Sequence, residues 1–135
     1  MILGIGIDLV QISVYRNEVL NPNKEAYLAS HFSPQEIKLV EARDIEDKAE
    51  LYAARWAAKE AFVKAINGPD LKKEELWTDW PDAREIQILS DIRERPYLEA
   101  LGKVKKILLD RAVNKVHVSL SHSGDYATAM VILES

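Results

Sequence analysis

Cysteine is absent from the 135 residues, which excludes disulfides, thiol nucleophiles and cysteine-based zinc sites. Positive charge is not in excess either. Against 18 lysines and arginines stand 22 acids, and the formal charge of −4 argues against nucleic acid as the main partner. No apolar run is long enough to span a bilayer, and the first residues lack the basic start and cleavage site of a signal peptide. The expectation is a cytoplasmic protein with no membrane partner. Repeats, low-complexity tracts and an obvious linker are also missing, so a single domain over residues 1–135 is the simplest organisation. A chain of this length buries roughly two-thirds of its unfolded surface, enough for a real core.

What is present centres on Arg55-Trp56-Ala57-Ala58-Lys59-Glu60-Ala61-Phe62-Val63-Lys64-Ala65, inside a helical run over residues 47–67. The run is dense in good helix formers, and its alanines let other segments approach the backbone closely. Leu51, Ala54, Ala58, Ala61, Phe62 and Ala65 recur at three- and four-residue steps and form an apolar stripe. Glu60 and Lys64 lie one turn apart on one flank, and Arg55 and Lys59 make a second such pair. A carboxylate among three cations reads as a solvated helix face or as a metal ligand among phosphate-binding groups. Composition does not decide between the two.

Residues 2–10 read as a strand. Leu3, Ile5, Ile7 and Leu9 share one face, and the other carries Gly4, Gly6 and Asp8. Glycines in a strand mark the close approach of a backbone or a ligand. The Gly4-x-Gly6 pair lacks the third glycine and the strand-turn-helix context of a dinucleotide fingerprint. Residues 11–32 are expected to be helical in part, broken at Asn21-Pro22-Asn23. Ser33-Pro34-Gln35-Glu36 is a capping box with proline at the first helical position, and Asp47-Lys48-Ala49-Glu50 repeats the pattern at the head of the central helix. Asn67-Gly68-Pro69 stops that helix. Residues 71–83, with Trp77 and Trp80, read as an irregular loop; residues 85–89 as a strand, with a second beginning at Pro96; residues 100–113 as an amphipathic helix. A final hairpin alternates Val116, Val118 and Leu120 with His117, Ser119 and Ser121, turns at residues 122–125 and returns over residues 126–133. The serines and His122 form no hydrolase triad, because no G-x-S-x-G elbow exists and they lie too near in sequence.

Gly4-Ile5-Gly6-Ile7-Asp8, the Arg55–Ala65 motif and His117-Val118-Ser119-Leu120-Ser121-His122, in that order, resemble the holo-acyl-carrier-protein synthase family of 4′-phosphopantetheinyl transferases. Phe32-Ser33-x-x-Glu36 and Tyr126-Ala127-Thr128-Ala129 are similar to family features as well, and the similarity covers nearly the whole chain. The resemblance implies an α+β fold, with an antiparallel sheet and a long central helix, and a homotrimer with its active site between neighbouring subunits. It implies transfer of 4′-phosphopantetheine from coenzyme A to a serine of apo acyl carrier protein, releasing adenosine 3′,5′-bisphosphate, in fatty acid biosynthesis.

By the same resemblance, Asp8 and Glu60 hold Mg2+. Arg55 and His122 match positions near the coenzyme A 3′-phosphate, and Lys64 matches one near the pyrophosphate. Asp8, Glu60 and Lys64 are the implied catalytic set, with Glu60, directly or through water, the candidate for taking the serine proton. The nucleophile belongs to the carrier. Lys59 points to another flank, which is compatible with a structural role, and the sequence assigns it no job of its own. Four places depart from the pattern, one of them the segment over residues 67–82, which lacks the usual glycine-rich form after the helix. Gln11 stands where an acid is usual, Val14 replaces an arginine that meets the carrier (Arg16 lies two further on), and Glu94-Arg95-Pro96 stands where Gly-Lys-Pro is common. The alternative is a non-catalytic coenzyme A or nucleotide-binding oligomeric module, which would keep the cations without needing both Asp8 and Glu60.

Overall fold

A computed structural model describes residues 1–68 and 81–135. Strand β1 (Ile2–Gln11) leads into a single helical turn, α1 (Ile12–Val14), that widens into a π turn (Tyr15–Leu20). Helices α2 (Lys24–His31), α3 (Pro34–Glu41) and α4 (Ala49–Ile66) follow. After a 3-10 turn (Ala83–Glu85) come β2 (Ile86–Ser90), β3 (Pro96–Ala100), α5 (Gly102–Asp110), β4 (Lys115–Ser123) and β5 (Tyr126–Glu134). The strands make two antiparallel sheets, β1-β5-β4 and β2-β3. The α+β expectation therefore holds, with the antiparallel strands divided between two sheets. The expected loop with Trp77 and Trp80 falls largely outside the described residues.

The sheet lies on α4 at unusually short range. A Cβ on Gly4 would sit 2.0 Å from the carbonyl oxygen of Ala65, and one on Gly6 would sit 1.8 Å from that of Ala61. Glycine is required at both positions because strand backbone meets helix backbone with no room for a side chain. From β5, Ala129, Val131 and Leu133 fill the same interface, closing over Ala57, Ala58, Ala61, Phe62 and Ala65, while Ala127 joins the second core. The apolar face of β1 therefore looks outward: Ile5 and Ile7 are each 57% exposed and Leu9 63%. A second core gathers Ile12, Tyr15, Leu20, Leu28, Phe32, Val40 and Tyr52 around the first half of α4.

The two expected caps differ in outcome. Ser33 accepts from the Glu36 N–H at 3.1 Å and Glu36 returns the bond to the Ser33 N–H at 2.9 Å, a complete capping box. At α4 the helix begins at Ala49 rather than Asp47, and only half of the pattern forms: Asp47 accepts from the Ala49 N–H at 3.1 Å. Glu50 does not reach back; its carboxylate lies 3.3 Å from His122. The amphipathic helix expected from residue 100 starts at Gly102, because Ala100 is used to pair with Ile86 in β3. Among the described residues no helix is long and apolar enough to cross a membrane.

Lys59, whose job the sequence leaves open, has a structural one. Its ammonium is fully buried and donates three bonds, to Glu36 at 2.7 Å, to the Ala83 carbonyl at 2.7 Å and to the Ile86 carbonyl at 2.8 Å. It also sits 4.8 Å from the Phe32 ring centroid. Glu36 accepts in turn from the Ile88 N–H at 3.0 Å. Burial pulls the Lys59 ammonium down from the ordinary lysine range and Glu36 pulls it back; three acceptors around three N–H donors fit the charged form. One ion pair thus ties α3, α4 and β2 together. Lys59→Met strands a buried carboxylate, and a loss of about 3–5 kcal/mol is expected in urea unfolding. A loss below about 1 kcal/mol, the range of exposed pairs, would contradict this role.

Candidate active site

Side chains on one face of a strand alternate, so Asp8 follows Gly4 and Gly6 onto the face that meets α4. The close glycine contact carries Asp8 to the flank of α4 that bears Glu60 and Lys64. Lys64 donates to an Asp8 carboxylate oxygen and to the Ile7 carbonyl, both at 3.0 Å. The Asp8 backbone carbonyl is held by the Thr128 hydroxyl at 2.8 Å. Burial raises the Glu60 carboxyl above its ordinary range, and the nearby Asp8 charge raises it further, while Lys64 opposes both. The three residues expected to act together are therefore brought together: two carboxylates with incompletely balanced charge, and one ammonium.

Two hard oxygen donors that repel each other are a suitable set for a hard dication whose remaining ligands are water or phosphate oxygens. No cluster of three or more acidic or histidine side chains is assembled among the described residues, so a closed, all-protein cage is not formed here.

Arg55 and His122 meet at a second place, a cavity of about 220 Å³ between the start of α4, the β2–β3 hairpin and the end of β4. Arg55 is buried. Its guanidinium donates to the Leu51 carbonyl at 3.2 Å and the Ser90 hydroxyl at 3.4 Å, but its Nε has no partner among the described residues. Burial lowers its affinity for its proton and Glu36 restores part of it. Arg43, absent from the sequence expectation, lines the same cavity.

Two further features escaped sequence reasoning. Tyr27 stacks on His31 with ring centroids 4.2 Å apart, and both meet Trp56 edge-on. Burial pushes the Tyr27 phenol up to about 12, and the charge of Glu60 adds to the effect. An aromatic wall thus stands beside the carboxylates; the only signal for it was Trp56, one turn before Glu60. Asp125, in the β4–β5 turn, accepts from the Ser13 N–H at 2.9 Å and the Ser13 hydroxyl at 2.5 Å, and from Gln11 at 3.2 Å. Gln11 therefore braces the end of β1. Arg16 is ion-paired to Asp47.

A family model described as the 4′-phosphopantetheinyl transferase superfamily matches residues 4–131. The chain belongs to that superfamily. A holo-[acyl-carrier-protein] synthase of Trichlorobacter lovleyi is 39% identical over 135 residues, spanning 100% of this chain and 99% of the relative. The Neisseria meningitidis holo-[acyl-carrier-protein] synthase structure superposes with a TM-score of 0.82 at 25% identity over 100% of both chains. A Chronobacterium ammoniagenes synthase in complex with coenzyme A superposes with a TM-score of 0.72 at 32% identity, over 96% of this chain and 95% of the other. The pairing of β1 with α4, and the motif that bears Glu60, are thus read within a transferase fold.

The raised Glu60 carboxyl fixes the sign of a pH effect. Glu60 releases its proton at a higher pH in the folded chain than at its unfolded value of 4.5, so the folded state binds more protons in that window and loses stability as pH rises through it. At neutral pH the charged group is a net cost. Glu60→Gln is expected to make the metal-free protein slightly more stable at pH 7. Chemical denaturation at pH 7 and pH 4 measures it; a destabilised variant at pH 7 would remove the case for charge repulsion.

Proposed function

We propose that this chain is a holo-[acyl-carrier-protein] synthase, transferring 4′-phosphopantetheine from coenzyme A to a serine of apo acyl carrier protein in fatty acid biosynthesis. The observation that carries the proposal is the Asp8–Glu60 carboxylate pair beside Lys64. A coenzyme-binding module has no use for two repelling carboxylates next to its phosphate cations. A transferase acting on a pyrophosphate does.

In the reaction the carrier serine oxygen forms a bond to the pantetheine-side phosphorus, and the bond from that phosphorus to the bridging pyrophosphate oxygen breaks. Adenosine 3′,5′-bisphosphate leaves with the bond's electron pair. Asp8 and Glu60 are the residues that hold Mg2+, which when bound neutralises charge on the two phosphates. Lys64 supplies a further cation next to Asp8, within reach of the same phosphate charge. Glu60, directly or through a water, is the group that takes the serine proton. Arg55 and His122, with Arg43, hold the 3′-phosphate end of coenzyme A in their cavity. The chain works in the cytoplasm, where coenzyme A and carrier are found together.

The same geometry supports a homotrimer with shared sites. Arg55 and Lys64 are nine residues apart on a helix of about 3.6 residues per turn, which sends them to opposite sides of α4. One chain thus keeps its phosphate cavity and its carboxylate pair on different flanks, and neighbouring copies unite the two. The exposed Ile5, Ile7 and Leu9, continued by Met130 on β5 (41% exposed), supply an apolar face for that contact.

The direct test is incubation with apo carrier protein, coenzyme A and Mg2+, followed by the carrier's intact mass. Addition of the phosphopantetheine arm is expected; an unchanged mass across several carriers and divalent metals would refute the activity. Asp8→Asn and Glu60→Gln are each expected to lower the rate by roughly 10²- to 10⁴-fold with the fold retained. Ile7→Glu is expected to shift sedimentation from trimer to monomer and to abolish transfer. Full activity from a monomeric Ile7→Glu protein would disprove shared sites.

A further inference from the structure

The cavity assigned to the 3′-phosphate holds carboxylates as well as cations. His122 lies 3.3 Å from Glu50, and Arg43 lies 3.8 Å from Glu94. A cavity built only to retain a phosphate dianion would not place acids against two of its cations. Among the described residues the buried Nε of Arg55 has no hydrogen-bond partner.

Glu94 is the more telling of the two acids, because its backbone is held in the left-handed region at φ 61, which favours glycine. The hairpin leaves it little alternative. The Asp91 carboxylate accepts from the N–H groups of Arg93 at 2.8 Å and Arg95 at 2.9 Å and from the Arg95 side chain at 2.8 Å. The Glu94 N–H is fixed to the Asp91 carbonyl at 2.9 Å, and the Asp91 N–H to the Arg95 carbonyl at 3.0 Å. A side chain is thus carried at a strained position, and its carboxylate faces Arg43 at the mouth of the phosphate cavity. Strain of this kind persists where the surroundings over-determine it and clusters at functional sites.

We infer that Glu94 is a specificity-determining residue that weakens retention of the 3′-phosphate by occupying Arg43, so that adenosine 3′,5′-bisphosphate leaves after transfer. The inference rests on the cavity being the 3′-phosphate site. An incoming phosphate dianion must displace the Glu94 carboxylate from Arg43 and then sit near it. Both effects oppose binding of the doubly charged 3′-phosphate and leave a nucleotide without one untouched. The pair is largely solvent-exposed (38% and 69% for the two side chains), so the opposition is modest and salt-dependent.

Calorimetric titration of the full chain with adenosine 3′,5′-bisphosphate and with adenosine 5′-monophosphate tests this. The wild-type protein is expected to bind the bisphosphate more tightly. Glu94→Gln, which removes the charge and keeps the shape, is expected to tighten bisphosphate binding about three- to fivefold at low salt, with the gain fading near 1 M salt and the monophosphate unchanged. Glu94→Gly is expected to tighten it equally and also to raise the melting temperature by relieving the backbone. Unchanged or weaker bisphosphate binding by Glu94→Gln, with wild-type discrimination intact, overturns the role of Glu94 alone. Equal wild-type affinity for the two nucleotides overturns the cavity assignment and this inference with it.

Discussion

Everything in this structure depends on one backbone contact, the strand β1 lying against α4 at Gly4 and Gly6. A side chain at either glycine would overlap a helix carbonyl oxygen. Because the contact is backbone to backbone, its geometry cannot be absorbed by a rotamer change, and the offset between strand and helix is fixed to within a fraction of a residue. That offset is what carries Asp8 to the flank with Glu60 and Lys64. It also decides the orientation of the strand. With the glycine face turned to the helix, the two-residue period sends Ile5, Ile7 and Leu9 outward. The placement of Asp8 and the open apolar face are therefore two consequences of one packing choice.

Helix α4 can serve this many neighbours because its sequence divides duties around its circumference. The alanines at 57, 58, 61 and 65 admit the sheet, and Phe62 fills the space they leave. Lys59 goes the other way and takes hold of Glu36 and the carbonyls of Ala83 and Ile86. A buried ion pair contributes little net energy against an apolar substitute, but its directional bonds admit one arrangement of helix and strand. Glu60, next along the chain, is thereby carried on a helix whose rotation is held from the opposite side.

Much of this was legible in the sequence, and the parts that were not share a cause. The glycine face of β1, the Ser33–Glu36 capping box and the start of β3 at Pro96 rest on local periods and appear as read; the grouping of Asp8, Glu60 and Lys64 came from the family resemblance alone, and the structure places Lys64 3.0 Å from Asp8. The roles of Glu36 and Arg16 were not legible because their partners are remote in sequence. Glu36 completes its cap and then spends its carboxylate on Lys59, 23 residues away. Arg16, two residues from where a carrier-binding arginine is usual, is engaged by Asp47, 31 residues away. Asp47 for its part caps α4 only in half, and the helix starts two residues later than its pattern suggested. Tyr27 and His31 gave no signal because their meaning lies in stacking beside a residue on another helix. Glu94 stands where glycine is common, yet the backbone keeps the left-handed turn, since the Asp91 bonds enforce it whatever side chain is carried.

The two clusters on α4 have opposite electrostatic needs, and the proposed substrate answers both. On one flank of α4, Glu60 sits with its charge disfavoured by burial and by Asp8, and the single ammonium of Lys64 balances them only in part. On the other, the guanidinium of Arg55 is buried and its Nε has no partner among the described residues. Neither half is relieved by a neutral ligand, and an anion alone relieves only the second while worsening the first. A ligand with a cation-bridged pyrophosphate at one end and a phosphomonoester at the other relieves both. The halves are turned to opposite sides of one helix, so under the proposed shared-site trimer the exposed apolar face of β1 would serve the site as directly as Asp8.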